Sequence, residues 1–308
     1  MNENSQELVS VITITRNRGN IIRRAIQSVL DQTYKRLEYI IVDGASEDNT
    51  EEVVKYFQNI DDRIIYIKQD TNISVVLSID YAFKISKGNY ISFLDDDDEY
   101  LPEKIEKQVI LLKSLPDEYG FVYCWMNCYD HNSGKLIRSY QQTLNGDILF
   151  HLLKSPIIGG TPVFLLRRKT FENIGGWNKT IKHISDWEMI TRVAREYKAD
   201  VVPETLVLVF ENHGKLRMSN TNFMQKEYLI RNIELHKHFL DEFKDSFKHS
   251  KHLQTSHLKP LIMYYLALGK LGDAVFTIIE LNKIPDTKLT ILKSIARGVV
   301  LRLKILIS

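Results

Sequence analysis

Four consecutive aspartates, Asp95, Asp96, Asp97 and Asp98, are the residues whose type and spacing most directly suggest chemistry. They follow an apolar run at 90–94, which is typical of a strand buried on both faces of a parallel sheet. Adjacent carboxylates repel one another, and a bound cation or a set of hydrogen-bond donors relieves that repulsion. In open α/β sheets, ligands bind outside the carboxyl ends of the strands. The run therefore favours a divalent-metal site at a strand end, with a solvated acidic turn as the alternative.

The segments around this run alternate between strand and helix patterns. Strands are predicted at 8–15, 37–42, 64–67 and 90–94, and helices at 21–30, 48–57, 75–86 and 102–112. Pro102 is expected at the first position of the last of these helices. This order predicts a parallel, doubly wound sheet with right-handed crossovers. No Gly-x-Gly-x-x-Gly follows the first strand, so a dinucleotide fingerprint is absent.

The rest of the chain reads as a mixed region followed by a helical one. A hairpin is predicted from strands 121–129 and 135–140, then a short helix at 146–154, a strand at 161–167, a helix at 185–196 and strands at 201–202 and 206–210. After position 223 every pattern is helical. The predicted fold class is α/β, with a mostly parallel Rossmann-like sheet flanked by helices and a C-terminal all-helical extension.

Composition is that of an ordinary soluble globular protein, with 44% apolar and 26% charged residues among 308. The net charge of +2 argues against nucleic acid as the main partner. Residues 223–308 contain 14 Lys/Arg against 8 Asp/Glu, a net charge of +6, which leaves −4 for residues 1–222. Cys124 and Cys128 are interpreted as reduced core residues. Because the start lacks signal-peptide regions and no apolar run reaches spanning length, a cytoplasmic location is predicted.

Five blocks of sequence, in order, resemble those of family 2 glycosyltransferases over about residues 8–215. They are VSVITITRNR at 9–18, SVLDQTY at 28–34, IIVDGASEDNT at 40–50, KGNYISFLDDDD at 87–98, and IGGW with ISDWE at 174–177 and 184–188. The resemblance implies a GT-A fold, a nucleotide-sugar donor and an inverting transfer to a hydroxyl. It also implies a catalytic domain at 1–222, with a nucleotide-sugar half at about 1–115 and an acceptor half at about 116–222, followed by a helical region at 223–308.

On the donor side, the resemblance implies roles for residues at three strand ends. Asp43 would accept a hydrogen bond from the uracil imide, and Thr15 would lie beside the nucleotide. Asp95 would face the ribose or a metal-bound water, and Asp97 would bind Mn²⁺ or Mg²⁺, hard cations that suit oxygen ligands. Asp96 is counted with the nucleotide-sugar residues, since the roles could shift by one residue along the run. The alternative for Asp43 is that it only begins a turn.

On the acceptor side, the resemblance makes Asp186 the candidate general base, which takes the proton from the attacking hydroxyl. The alternative is that this helix-start aspartate only caps its helix. Trp187 is read as either a wall for a sugar ring or a core residue. His213 matches a position where relatives often have a histidine near the metal or diphosphate, and a surface-loop histidine without a role is the alternative.

The segment 288–308 carries five Lys or Arg residues and no acid, interleaved with apolar residues. A basic amphipathic helix of this kind suits an anionic membrane surface, and packing on the rest of the protein is the alternative. Peripheral contact with the cytoplasmic face of a membrane would fit a lipid-linked acceptor.

The sequence thus predicts an inverting, metal-dependent glycosyltransferase that uses a nucleotide-sugar donor, UDP-sugar first, and a glycan or lipid-linked acceptor in surface polysaccharide or glycoconjugate synthesis. One rival is a non-catalytic sugar-nucleotide-binding protein that acts through its helical tail. A second rival is a phosphoaspartate phosphotransferase that uses the acidic cluster. It is disfavoured because such sites need a Thr or Val after a spaced Asp pair and a downstream Lys, whereas here Asp98 and Glu99 follow. Sugar and acceptor depend on loop shape and are not readable from motifs.

Overall fold

The computed structural model describes residues 7–181, 185–212, 214, 225–248 and 250–307. The chain divides into two units. The first comprises Met1–Leu149, Pro156–Lys179 and Met189–Gly214, and the second comprises Phe150–Ser155, Thr180–Glu188 and Lys215–Ser308. The predicted boundary at 222/223 falls within 215–224, outside the described residues.

The first unit begins with the alternating elements that the sequence predicts. The strands are β1 (Val9–Thr15), β2 (Leu37–Asp43), β3 (Ile64–Lys68) and β4 (Tyr90–Phe93), and the helices are α1 (Ile22–Leu30), α2 (Thr50–Gln58), α3 (Val75–Ile85) and α4 (Lys104–Ser114). The four strands are parallel in the order β3-β2-β1-β4. Every residue of β2 and β4 is buried, as expected for a sheet covered on both faces.

The second half of the sheet is mixed. Its strands are β5 (Glu99–Tyr100), β6 (Tyr119–Asp130), β7 (Leu136–Tyr140), β8 (Phe164–Arg167) and β9 (Lys198–Glu211), with α5 (Leu149–Leu152), α6 (Arg168–Asn173) and α7 (Ser185–Glu196) between them. The full order is β3-β2-β1-β4-β8-β6-β9-β5, with β7 paired to β6. β8 is antiparallel to β4 and β6, whereas β9 is parallel to β6 and antiparallel to β5. The predicted β6–β7 hairpin is confirmed.

Some predicted boundaries are wrong for local reasons. Pro102 is not the first helical residue, because its carbonyl accepts a hydrogen bond from the Thr33 N–H at 2.9 Å and α4 begins only at Lys104. The helix predicted at 146–154 is one turn long, because Gly146 pairs with Ala199. The two short strands predicted near 201–210 are one strand, β9, with shifts of register against β6.

In the described part of the second unit, the further helices are α8 (Lys226–Glu242), α9 (Lys244–Lys248), α10 (Lys251–Ala267), α11 (Leu271–Asn282) and α12 (Lys288–Ile307). Gly298 of α12 faces α10 so closely that an added Cβ would lie 2.8 Å from Cβ of Leu266. The predicted fold class, an α/β sheet flanked by helices with a C-terminal helical region, is confirmed. Over the described residues, no helix combines the length and the apolarity needed to cross a membrane.

Candidate active site

Thr15 and Asp43 end the two central strands and lie side by side. β1 and β2 are parallel and in register, so that Thr15 pairs with Asp43, and both side chains are buried. The Asp43 carboxylate accepts hydrogen bonds from the Ser46 N–H at 2.8 Å and from the Tyr66 hydroxyl at 2.7 Å. Asp43 therefore does begin the turn after β2. A carboxylate has about four acceptor positions, so these two bonds leave capacity for a ligand donor.

The loops that follow β1 and β2 are tied together by Asn17. Its N–H donates to the Ser46 hydroxyl, and its side-chain oxygen accepts from the Glu47 N–H, both at 2.8 Å. Asn17 has φ 54°, a left-handed conformation that asparagine tolerates better than most residues. The sequence signal for this contact is an asparagine two residues after a predicted strand end.

The four aspartates form the turn between β4 and β5, here named the acidic turn (residues 95–98). The Leu94 N–H still donates to the Ile12 carbonyl, and the Asp98 N–H donates back to the Asp95 carbonyl at 3.2 Å, which closes the turn. Asp95 is exposed, whereas Asp96, Asp97 and Asp98 are buried. Carboxylate oxygens of Asp95, Asp97 and Asp98 all lie within 4.8 Å of one another.

Asp98 and Asp96 are placed differently. One Asp98 oxygen accepts a hydrogen bond from the Phe210 N–H at 3.3 Å, so the end of β9 positions this side chain. Asp96 instead faces Arg18, whose Nε lies 3.8 Å from its carboxylate. Burial, with the Asp97 charge as a second cause, raises the pKa of Asp96 to about 7, because the distant Arg18 offsets only part of the cost.

The residues of the acidic turn fit a hard divalent cation. Three carboxylate groups converge, two of them buried, and like charges at such spacing are stabilised when a cation lies between them. The sequence predicts Asp95 and Asp97 as the functional pair of this turn. In the structure Asp98 joins them, and the sequence did not predict that. His213, predicted as a further metal residue, lies outside the described residues.

Two cations that the sequence analysis did not single out hold this corner. A guanidinium nitrogen of Arg24 donates to the Asp97 carbonyl at 2.5 Å, and the guanidinium lies 3.5 Å from the centre of the Phe210 ring. Lys104 is fully buried below the strand end and donates to the Ser92 hydroxyl at 3.0 Å. Burial lowers the pKa of Lys104 to about 7. Lysine and arginine in a helix are normally expected to be exposed to solvent, so the sequence does not predict the burial of Lys104 or the contacts of Arg24.

Asp186 lies in the first turn of α7 and is half-buried. Its carboxylate accepts a hydrogen bond from the Trp187 N–H at 2.9 Å. Negative charge is favoured at a helix N-terminus, so this position suits a carboxylate. By the division of the chain, residues 185–188 belong to the second unit and the rest of α7 to the first.

Trp187 belongs to the core of the second unit and is not an exposed wall for a sugar. It is 5% exposed, its ring centre lies 4.4 Å from that of Phe239, and it stacks on His257 at 5.7 Å. Its indole N–H donates to the Leu152 carbonyl at 2.6 Å. The aromatic contacts thus fix the residue directly after the candidate base.

Glu188 is fully buried, and its carboxylate lies 3.0 Å from Nε2 of His238 on α8. A buried carboxylate needs such partners because burial otherwise disfavours its charged form. Residues 185–188, here named the α7 start, are therefore held by side chains of α8 and α10. Sequence reasoning left the role of Glu188 open and missed His238, which lies 50 residues further along the chain.

Comparison with known sequences gives one family. The model of glycosyl transferase family 2 matches residues 10–175. An uncharacterized glycosyltransferase of Rickettsia typhi is 34% identical over 187 residues, which cover 59% of this chain and 57% of that protein. TuaG of Bacillus subtilis, whose name assigns it to teichuronic acid biosynthesis, is 31% identical over 168 residues, covering 54% of this chain and 65% of that protein. The match spans less than two thirds of the length of either relative.

Solved structures share the fold at low sequence identity. The crystal structure of S. aureus TarS 1–349 in complex with UDP-GlcNAc matches with a TM-score of 0.69 and 14% identity, covering 96% of this chain and 90% of that one. The mannosyltransferase PcManGT from Pyrobaculum calidifontis, in complex with GDP-Man and Mn²⁺, matches with a TM-score of 0.58 and 17% identity, covering 98% and 88%. These likenesses confirm the GT-A fold class. Because the family model matches more than half of its length, the chain belongs to glycosyl transferase family 2.

Proposed function

We propose that this chain is an inverting, metal-dependent transferase that moves a sugar from a nucleotide diphosphate donor, UDP-sugar first, to a hydroxyl of a glycan or lipid-linked acceptor. The observation that carries the proposal is the convergence of Asp95, Asp97 and Asp98 at the end of β4 in a family 2 chain. The nucleotide sugars in the TarS and PcManGT complexes support the donor class. The name of TuaG supports a role in surface polysaccharide synthesis.

On the donor side, Thr15 and Asp43 would contact the nucleotide from the ends of β1 and β2. Asp95, Asp97 and Asp98 would hold Mn²⁺ or Mg²⁺, which when bound neutralises charge on the leaving diphosphate. Asp96 keeps its proposed place among the nucleotide-sugar residues. Burial raises the pKa of Asp96 to about 7.

On the acceptor side, Asp186 would take the proton from the attacking hydroxyl. Inversion requires a base on the face of the sugar opposite the leaving group, and a carboxylate at a helix N-terminus suits that task. The bond from the Trp187 N–H uses one acceptor position of the carboxylate and leaves others for the substrate hydroxyl.

Residues 288–308 are proposed to contact the cytoplasmic face of a membrane peripherally. Helix α12 carries Lys288, Lys293, Arg297, Arg302 and Lys304 and no acidic residue. A helix of this charge would bring the enzyme to the surface where a lipid-linked acceptor is found.

The donor is tested first by thermal unfolding with nucleotide sugars, each with and without Mn²⁺. A ligand that binds only the folded chain stabilises it by about 2.7 kcal/mol at a hundredfold excess over its dissociation constant. The donor should raise the melting temperature more with Mn²⁺ than without it. If none of the nucleotide sugars does so, the donor class is wrong.

The base is tested with Asp186→Asn and with Glu196→Gln as the matched control. Glu196 is an exposed acid at the other end of α7, so the control removes one charge from the same helix. Losing a general base should reduce turnover by about 10²- to 10⁴-fold while donor binding is retained. Full activity of Asp186→Asn would reject the base assignment. Donor binding without transfer by the wild-type chain would favour the non-catalytic rival.

A further inference from the structure

A cavity of about 320 Å³ lies in the second unit, between α10, α12 and Lys154. Its size is at the lower end of the range of about 300–1,000 Å³ that small-ligand sites occupy. Three cations and three hydroxyl groups line it: Lys154, Lys259, Arg297, Ser256, Ser294 and Tyr264. Among the described residues that line it, none has an acidic side chain.

The three cations have no carboxylate partner within the described part of the chain. The Lys154 ammonium nitrogen lies 4.1 Å from the centre of the Phe150 ring. Over the described residues, none of the three cations forms an ion pair. Three positive charges around one cavity repel one another, and a bound anion would relieve that repulsion. Lysine, arginine and hydroxyl groups are the side chains that bind phosphate oxygens. The cavity is therefore suited to a phosphate group.

The local sequence explains how the cavity arises. Pro260 lies inside α10 and has no N–H, so the Ser256 carbonyl receives no helical hydrogen bond from it. On α12, Gly298 lets the two helices approach closely, and Ser294, one turn earlier, lines the cavity. Pro260 lines the cavity directly, and Gly298 lies one helical turn after the lining residue Ser294.

The solvent face of α12 beside this cavity is apolar. Ile291, Ser294 and Gly298 form the buried face of the helix. The opposite face carries large apolar side chains that are 47% to 85% exposed: Leu289, Leu292, Val299, Val300, Leu303, Leu306 and Ile307. Along one edge of that face run Lys293, Arg297 and Lys304, at spacings of four and seven residues. Arg297 thus belongs both to the edge row and to the cavity.

Charge decides between the occupants of this face. A second copy of the chain would bring an equally basic helix against it, and like charges across an interface disfavour binding. An anionic phospholipid surface offers acyl chains to the apolar face and negatively charged headgroups to the cations. Both lie at the depth where amphipathic helices bind.

We propose that the cavity binds the phosphate of an anionic phospholipid headgroup while the apolar face of α12 enters the boundary between headgroups and acyl chains of the cytoplasmic leaflet. The proposal rests on the peripheral membrane contact proposed above and does not depend on the sugar-transfer reaction. Lys259 and Arg297 would contact the phosphate, and the exposed leucines would supply the apolar contact.

The test is co-sedimentation of the full chain with vesicles of phosphatidylcholine alone or with added phosphatidylglycerol. The cavity variant is Lys259→Gln with Arg297→Gln. The matched control, Lys237→Gln with Lys244→Gln, removes the same charge from exposed positions on α8 and α9. The face variant is Leu292→Gln with Leu303→Gln, at exposed positions that should leave folding intact.

The wild-type chain should bind anionic vesicles and not neutral ones. One basic residue near the surface contributes about 1 kcal/mol, roughly a fivefold change in binding, so the cavity variant should bind about 30-fold more weakly. The control should lose much less, and the face variant should release the protein as well. Equal losses in the cavity variant and the control would reject the headgroup site. Self-association in place of vesicle binding would assign the face to a second copy, and would overturn the proposal.

Inorganic phosphate separates the two sources of the same chemical group. Thermal stabilisation by phosphate that disappears in the cavity variant, with no vesicle binding by the wild type, would show a soluble-phosphate site and reject the lipid. Because no sugar donor enters these measurements, they can fail while transferase activity stands, and the reverse also holds.

Discussion

The acidic turn and the α7 start carry the two halves of the proposed reaction, and they are stabilised by different forces. The acidic turn is held by polar contacts: the Phe210 N–H on Asp98, Arg24 on the Asp97 carbonyl and Arg18 near Asp96. Charge and hydrogen bonding set its geometry, and its carboxylates repel one another. A change of charge there should alter ligand binding more than folding.

The α7 start is held by ring packing and by a buried hydrogen bond between His238 and Glu188. Trp187 packs against rings of α8 and α10, and His238 lies against Glu188. The candidate base therefore depends on helices that begin 40 residues further along the chain. Mutations in the C-terminal helices should therefore destabilise the α7 start. The same mutations should leave the acidic turn unchanged.

The largest effect is expected from Asp97→Asn in the acidic turn. Loss of one cation ligand should lower metal-dependent transfer by more than about 100-fold, since even outer-shell changes cost 10- to 100-fold in metal affinity. Stability without metal should stay equal or rise, because one repelling carboxylate is removed. Mn²⁺ titrations of activity and of the melting temperature measure both.

Two variants sharpen this result. Asp62→Asn, at an exposed acid of the same unit, should change neither measurement. Asp96→Asn should cost less metal affinity than Asp97→Asn, because Asp96 faces Arg18. The opposite ranking would move each role by one residue along the turn and contradict the assignment of Asp97.

Trp187→Ala should produce the largest loss of stability at the α7 start. Truncating a buried tryptophan costs about 3–5 kcal/mol, and the Leu152 carbonyl also loses its donor. Trp187→Phe keeps a ring against Phe239 and His257 and should lose about half as much. Urea denaturation of both variants gives the free energies of unfolding. An unchanged midpoint for Trp187→Ala would show that packing does not hold this helix start.

His238→Ala should have a smaller effect in the same region. The change removes one partner of the buried Glu188 carboxylate, and a hydrogen bond to a charged group contributes about 1.5–3 kcal/mol. Turnover should fall together with stability, whereas donor binding should not change. His238→Gln, which keeps a donor at this position, should recover part of both. If His238→Gln recovers neither turnover nor stability, the hydrogen bond to Glu188 does not explain the effect of His238→Ala.

Sequence predicted the parallel half of the sheet well because its signals are local. β1, β2 and β4 are β-branched or apolar runs that end in polar residues, and the acidic turn follows β4 directly. The same locality placed Asp186 at a helix start. The roles of the predicted site residues, Thr15, Asp43, Asp95, Asp96, Asp97, Asp186 and His213, stay predictions.

What sequence did not predict depends on contacts between distant segments. Asp98 joins the carboxylate group because the N–H of Phe210, 112 residues later, holds it. Lys104 is buried because it reaches Ser92 under the sheet, although its helix position predicts exposure. The environment of Trp187 could not be read either, because its partners lie on α8 and α10.

Acid should separate the two regions through two buried histidines of the second unit. Burial lowers the pKa of His236 to about 3 and that of His257 to about 4, so both are neutral in the folded chain. The unfolded chain takes up these protons below pH about 6.5. The free energy of unfolding is therefore highest above that pH and falls as the pH is lowered towards 4.

Each proton contributes a slope of about 1.4 kcal/mol per pH unit to the free energy of unfolding, and His236→Phe should remove one such contribution. His252→Phe, at an exposed histidine of α10, is the control and should leave the slope unchanged. Hydrogen exchange between pH 6.5 and 4 should show the loss of protection first in α8 and α10. If the strands around the acidic turn lose protection first, the difference between the two regions does not come from the imidazole pair.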